Sequence, residues 1–413
     1  SLALLGLAAC SSDAGSSTAT VSPATEAPTT SAAPATTAAA TTTVEATTTE
    51  APTTTVDPAA LAEAYSEPGP YPVGVMTFTL SKGNQVEIWY PVAEGTATTD
   101  ISYDVRDFTP PAIRDILTAD IPASYSFTGA RDAAIADGQF PVVLFSHGFT
   151  GIRLQSTFLT AHLASWGMIV ASPEHPSRDL TNVLAGSATG DRADSVDDLL
   201  KTLDLVIAQG DAAGVFAGHV DADHVVAVGH SAGGGTVLGA ADDDRVDGYV
   251  SMASGVVLGG GSDPDATTTT SPTQLPDKPS FFLGGSVDAV VPVATVTEPS
   301  FESVPSPSLL WVLDGVGHNG FDDFCTFGNG TGIIGVAEAS GLGGLLDAQP
   351  QLRALGEDGC IPPAVPVTET FPVVRHAVTA WIRALFGIDP TPVGLGPDVA
   401  GDYPVSVTIT ERP

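Results

Sequence analysis

At 413 residues the chain has room for one large domain or two ordinary ones. Its 48 acidic residues against 14 basic ones give a formal charge of −34, a surface that repels nucleic acid and anionic membrane and argues against both as partners. This charge belongs to the whole surface and carries no catalytic meaning.

The first nine residues, SLALLGLAA, form an apolar run too short to span a bilayer as a helix. Small residues then lead into Cys10, the pattern of a lipoprotein signal whose cysteine sulfur carries a lipid after cleavage. On this expectation residues 1–9 are the end of a signal peptide and the only contact with a membrane is a lipid on Cys10. Residues 10–64 are dominated by Thr, Ala, Ser and Pro, and no aromatic residue, Lys or Arg precedes Tyr65. Such a segment cannot bury a core and is expected to be an extended, disordered stalk. The folded domain is then 65–413, exported and held at the cell surface. Export suits the cysteines: with Cys10 lipidated, Cys325 and Cys360 remain as a pair in an oxidising compartment. A disulfide between them is predicted, closing about 35 residues and stabilising by about 3–4 kcal/mol in the chain-entropy view.

Past the stalk, 73–80 and 85–92 read as two strands joined by a Gly-Asn turn, an N-terminal antiparallel hairpin. Residues 96–138 are rich in Asp and Pro and read as irregular, with one helix near 111–118. Continuous apolar runs at 140–146, 168–172, 225–228, 248–252, 280–283 and 309–313 fit strands of a sheet covered on both faces. Between them, 154–166 and 195–208 show apolar residues at helical spacing, 231–241 follows its strand directly, and 372–386 is a last amphipathic helix. Residues 328–363 form a Gly-rich insertion, and 403–410 is a closing edge strand. There is no internal repeat. Alternating strands and helices predict an α/β domain with a mostly parallel central sheet and helices on both faces.

The sequence VVAVGHSAGGG puts Ser231 where a buried strand stops and a helix begins. There a G-x-S-x-G pattern is a nucleophile elbow, with Gly229 and Gly233 at positions where a side chain would collide with backbone. A serine hydroxyl needs a base, and in this strand order the acid and then the histidine follow the serine. Strand 280–283 runs into Asp288, and strand 309–313 runs into His318. The expected triad is Ser231, Asp288 and His318: the histidine takes the serine proton and the aspartate holds its tautomer. Asp314, Asp322 and Asp323 flank His318 as fallback acids. His162 and His376 lie on helices, His219 and His224 precede a strand, and His230 cannot reach its neighbour's hydroxyl. A metal centre from His318, Asp322, Asp323 and Cys325 has no H-E-x-x-H or paired C-x-x-C behind it, so no metal or other cofactor is expected. The oxyanion needs two backbone donors. One is the amide of Ala232; the other is the amide of Phe149, in the loop after strand 140–146 that Gly148 makes tight and His147 supports.

These segments, FPVVLFSHGFTG, LASWGMIVASPEHP, GHSAGGG, GSVDAVVP and GHNGFDDF, resemble the α/β hydrolases grouped with platelet-activating-factor acetylhydrolase and predicted dienelactone hydrolases. The opening PYPVGVMTFTL…EIWYPV is similar to that group's first strands, so the likeness runs over about 69–386. It implies the α/β-hydrolase fold and a serine ester hydrolase with triad Ser231, Asp288 and His318 and oxyanion amides from Phe149 and Ala232. True dienelactone hydrolases carry a cysteine where Ser231 stands. Polyester hydrolases of the cutinase type are similar in the elbow and the loop of Phe149, but carry a tryptophan where this chain reads Met252-Ala253-Ser254-Gly255.

The expected function is hydrolysis of carboxylic esters, lipid-like, short-acyl or polymeric, by a monomer outside the cell. The alternatives are acyl transfer through the same triad, or polyester hydrolysis. A non-catalytic binding protein on this fold would be marked by a missing triad member, and none is missing.

Overall fold

The computed structural model describes residues 58–255, 275–401 and 403–413, all within the compact unit Thr55–Pro413. The signal remnant, Cys10 and the stalk up to residue 57 lie outside the described residues. The strands are β1 (Val73–Thr79), β2 (Gln85–Pro91), β3 (Thr99–Asp104), β4 (Ser124–Arg131), β5 (Phe140–Ser146), β6 (Ile169–Pro173), β7 (Val220–His230), β8 (Gly248–Met252), β9 (Ser280–Gly285), β10 (Ser308–Leu313) and β11 (Val407–Arg412). The helices are α1 (Pro58–Ala62), α2 (Pro111–Arg114), α3 (Thr157–Ser165), α4 (Leu180–Ala185), α5 (Arg192–Gly210), α6 (Ala232–Ala240), α7 (Glu298–Ser303), α8 (Gly332–Ala339), α9 (Gly343–Asp347), α10 (Pro350–Glu357) and α11 (Val367–Leu385).

One sheet runs in the order β11-β10-β9-β8-β7-β5-β6-β2-β1-β4-β3. The stretch from β10 to β6 is parallel throughout, and β11 and β2 pair antiparallel onto its two sides. Both faces are covered, and strand alternation divides the core. Val143, Phe145, Val226 and Val228 pack with Phe158 of α3 and Trp381 of α11. Val142, Leu144, Val225 and Ala227 pack with Leu199 and Leu203 of α5 and Val237 of α6. That is why β5, FPVVLFS, is buried at every position and has no polar face to alternate. Cys325 and Cys360 are joined by a disulfide.

Four stretches differ from the sequence expectation. The segment 96–138 holds a hairpin, β3 paired antiparallel with β4, rather than irregular chain. The Gly-rich insertion 328–363 forms three short helices, α8 to α10, which pack on one another and on the apolar wall of a cavity. Two elements start early: β7 at Val220, so that His224 lies within it, and α11 at Val367, five positions before Pro372.

Candidate active site

The carboxyl ends of the parallel strands carry the polar residues. β7 ends at His230 and α6 begins at Ala232, so Ser231 must turn the chain alone, and it does so with φ 55° and ψ −122°. Such a conformation in a side chain with a Cβ costs about 1–3 kcal/mol and persists only where neighbours enforce it. Here they do. The Ser231 amide donates to the carbonyl of Met252 at 2.9 Å. A Cβ on Gly229 would strike the carbonyl of Gly233, and one on Gly233 would strike the carbonyl of Ser146.

His318 Nε2 lies 2.8 Å from Ser231 Oγ, and His318 Nδ1 lies 2.9 Å from Asp288 Oδ2. Asp288 Oδ1 accepts from the amides of Val290 and Val291 at 2.8 and 2.6 Å, which leaves Oδ2 facing the ring. With its Nδ1–H given to the carboxylate, the imidazole presents a bare Nε2 to the serine hydroxyl. The ring and carboxylate are buried. All three groups named from the sequence thus meet in one hydrogen-bonded row. Asp314 instead accepts from Ser286 Oγ at 2.9 Å.

Phe149 follows β5 in the loop above the elbow. A Cβ on Gly148 would stand 3.2 Å from Ser231 Cβ, so the loop passes close over the serine. Among the described residues no acceptor is bonded to the amide of Phe149 or of Ala232. His147 is buried and held neutral, its pKa pushed well below the ordinary value by desolvation and by His175. Its ring hydrogen bonds to the carbonyl of Gly148 at 2.8 Å and to the amide of His175 at 3.1 Å, pinning this loop to the strand end.

Three residues around the row support it: Gln155 and Asp358, which carry no motif, and His230, which lies in the elbow. Gln155 is 2% exposed, and its amide joins three loops at once. Its Oε1 accepts from the amide of Gly148 at 2.8 Å, and its Nε2 donates to Asp322 Oδ2 at 2.8 Å and to His230 Nδ1 at 3.2 Å. His230 in turn donates through Nε2 to the carbonyl of His318 at 2.9 Å. Burial and the neighbouring His318 lower the His230 pKa to about 3, so this ring stays neutral and works as a strut beneath the row. Asp358, at the end of α10, accepts from the amide of His318 at 2.7 Å. No short-range pattern announces Gln155 or Asp358, whose bonds to Asp322 and His318 join segments far apart in the chain.

The other candidates go elsewhere. Asp322 accepts from Gln155 and from the amide of Phe324, and burial raises its pKa to about 7. Asp323 accepts from the amide of Phe158 and from the Tyr103 hydroxyl, and burial carries its pKa well above the usual carboxylate range. Cys325 is bound to Cys360, so no thiolate faces His318. His162 and His376 both bond to the backbone of Tyr65 in the core, and His219 and His224 bond to Gly138 and Asp221.

An apolar cavity opens onto Ser231, His318 and Phe149. Ile113 and Leu117 wall one side, Leu180 and Leu184 another, and Leu342, Leu345, Leu346, Leu352 and Leu355 of the insertion a third. A second recess, lined by Ser177, Arg192, Ala232 and Ser254, also reaches Ser231.

A serine on a strained strand-to-helix turn, with acid and histidine each just past a later strand, defines an α/β hydrolase. Residues 116–198 match the model of a family described as platelet-activating factor acetylhydrolase, isoform II; they include the loop of Phe149 and end before Ser231. The fold is similar to that of a ferulic acid esterase from Streptomyces cinnamoneus, with TM-score 0.60 and 22% identity over 84% of this chain and 98% of the other. No curated protein matches the chain. The chain has the α/β-hydrolase fold, and over residues 116–198 it is similar to the platelet-activating-factor acetylhydrolase group.

Proposed function

We propose that the protein hydrolyses esters carrying an apolar chain, through an acyl-enzyme on Ser231. One observation carries this: the unbroken row Ser231–His318–Asp288, with contacts of 2.8 and 2.9 Å, at the mouth of a cavity walled by leucines. Ser231 Oγ attacks the ester carbonyl as its proton passes to His318 Nε2. The amides of Phe149 and Ala232 receive the oxyanion, and Asp288 stabilises the imidazolium. The alkoxide leaves with the proton from His318. Water then attacks the acyl-enzyme with its proton going to the same nitrogen, and Ser231 leaves with that proton as the carboxylic acid is released.

The leucines favour burial of an aliphatic group, each methylene contributing about 0.8 kcal/mol. The recess beside Ala232, where Ser177, Arg192 and Ser254 also stand, gives the alcohol or water a path. The disulfide and the lipoprotein-like start support export, with a lipid on Cys10, and an alcohol acceptor in place of water would make the same row an acyltransferase. The test is a series of nitrophenyl esters from acetate to decanoate, assayed on the parent and on Ser231→Ala, with products analysed with and without added alcohol. The alanine variant should fall to background, and kcat/KM of the parent should rise with chain length before it levels. An alanine variant as fast as the parent would overturn the assignment.

A further inference from the structure

We propose that Asp358 is the positioning residue that holds the base loop and the acid loop in one frame, and that this is the structural task of the insertion's far end. The proposal rests on the role given above to Ser231, His318 and Asp288. The two carboxylate oxygens of Asp358 are divided between the loops: Oδ1 accepts from the amide of His318 at 2.7 Å and Oδ2 from the amide of Ala289, next to Asp288, at 2.9 Å. Its main-chain carbonyl accepts from the amide of Asn319 at 2.9 Å and from Asn319 Nδ2 at 2.8 Å.

The next two residues are fastened to the same loop. Gly359 has φ 91°, and a Cβ there would stand 2.8 Å from the amide nitrogen of Asn319 and 2.9 Å from that of Gly320, so backbone lies directly on backbone. Cys360 is then bonded to Cys325. Three successive residues thus grip the segment that starts at His318. A carboxylate suits the position because it offers acceptors only, and both loops present amides.

The same helix that ends at Asp358 sends Leu352 and Leu355 into the cavity wall. A residue that merely kept that wall in place and one that sets the imidazole would fail differently, and this separates the two roles. Displacing a reacting group by about 1 Å can cost about 100-fold in rate whatever the substrate.

The experiment takes Asp358→Ala and Asp358→Asn in the full chain and measures kcat and KM on nitrophenyl acetate and nitrophenyl decanoate, with folding followed by circular dichroism. A positioning role lowers kcat by a common factor of about 10- to 100-fold on both esters, leaves KM for the acetate within about twofold, and places the asparagine variant between alanine and parent because it retains one acceptor. Parental kcat on acetate in either folded variant, with only a raised KM on decanoate, overturns the proposal. If the alanine variant does not fold, the near-isosteric asparagine variant decides: parental kcat there also overturns it. Ser231→Ala is assayed alongside. If it stays active, the assignment of the row has failed; if it is dead while the Asp358 variants keep kcat, this proposal alone has failed.

Discussion

Replacing Gln155 by leucine should damage both stability and turnover, for one physical reason. Leucine fills nearly the same volume, so the loss is in hydrogen bonds rather than packing. Three groups are left behind: the amide of Gly148, Nδ1 of His230 and Oδ2 of Asp322, whose bonds to Gln155 are 2.8, 3.2 and 2.8 Å long. His230 is 1% exposed and Asp322 0%, so water cannot easily replace the lost partner. At about 1–3 kcal/mol for each of the three buried groups left unsatisfied, the fold should lose about 3–9 kcal/mol, a large part of the roughly 5–15 kcal/mol a domain has. The lower part of that range holds if Asp322 takes up a proton, and its pKa of about 7 makes this easy. Turnover should fall about 10- to 100-fold, because the loop carrying the Phe149 amide loses its anchor, and a full oxyanion donor is worth about 100- to 1000-fold. Urea unfolding gives the first quantity and kcat on nitrophenyl butyrate the second. A leucine variant within about 1 kcal/mol of the parent, with kcat within about twofold, would refute the reasoning.

Cysteine replacement is a second case: Cys325→Ser with Cys360→Ser opens a closure of 35 residues and should cost about 3–4 kcal/mol, read as a lower urea midpoint; equal midpoints would count against a structural disulfide. For pH, Asp322 has a folded pKa raised to about 7 by burial, above its unfolded value near 3.9. Between about pH 4 and 7 the folded chain therefore binds a proton that the unfolded chain has released, so this group's contribution to stability declines as pH rises through that window and is flat above it. Urea midpoints of the parent minus those of Asp322→Asn, taken from pH 4.5 to 8, isolate the term from the general repulsion of so acidic a chain, and a pH-independent difference would contradict it. Leu352→Trp should shorten the apolar cavity: kcat/KM on decanoate falls about tenfold or more while acetate is unchanged, and equal losses on both would remove Leu352 from the chain-binding wall.

The parallel core was legible because both of its faces are dry. Phe140–Ser146 has no polar side to hide, and a run of apolar residues of that length between turn signals admits few other structures. The row itself was legible for a related reason: each of its members sits just beyond such a strand, so finding the strand found the residue. The hairpin β3–β4 was not, although its Ile101 and Tyr103, and its Tyr125 and Phe127, do alternate with polar residues. The Asp and Pro around them carried the stronger local signal, that of loop. Helices α8 to α10 were hidden by glycine, whose helix propensity is about 1 kcal/mol worse than that of alanine. The first of them is held instead by tertiary burial of Ile334 and Val336, and the last is tied down by the disulfide that follows it. Gln155 and Asp358 were illegible because their meaning lies in partners brought together by the fold: His230 and Asp322 for the one, His318 and Ala289 for the other.

Why the hub beneath the row is a glutamine follows from what meets there. The Gly148 amide needs an acceptor, and the Asp322 carboxylate needs a donor. Glutamate at 155 would satisfy the first and oppose the second; lysine would do the reverse; either would put a charge in a place where none is exposed to water. A carboxamide does both and stays neutral. His230 obeys the same constraint: burial and the neighbouring His318 keep its pKa low, which leaves Nδ1 bare to accept from Gln155. Gln155 and His230, beneath the row, are therefore neutral groups that each donate and accept, while Asp288 and Asp358 are each held by backbone amides. Of these two, only Asp288 is hydrogen-bonded to the imidazole, while Asp358 acts on the main chain of the base loop, so neither carboxylate occupies the amides of Phe149 and Ala232 that are to receive the oxyanion.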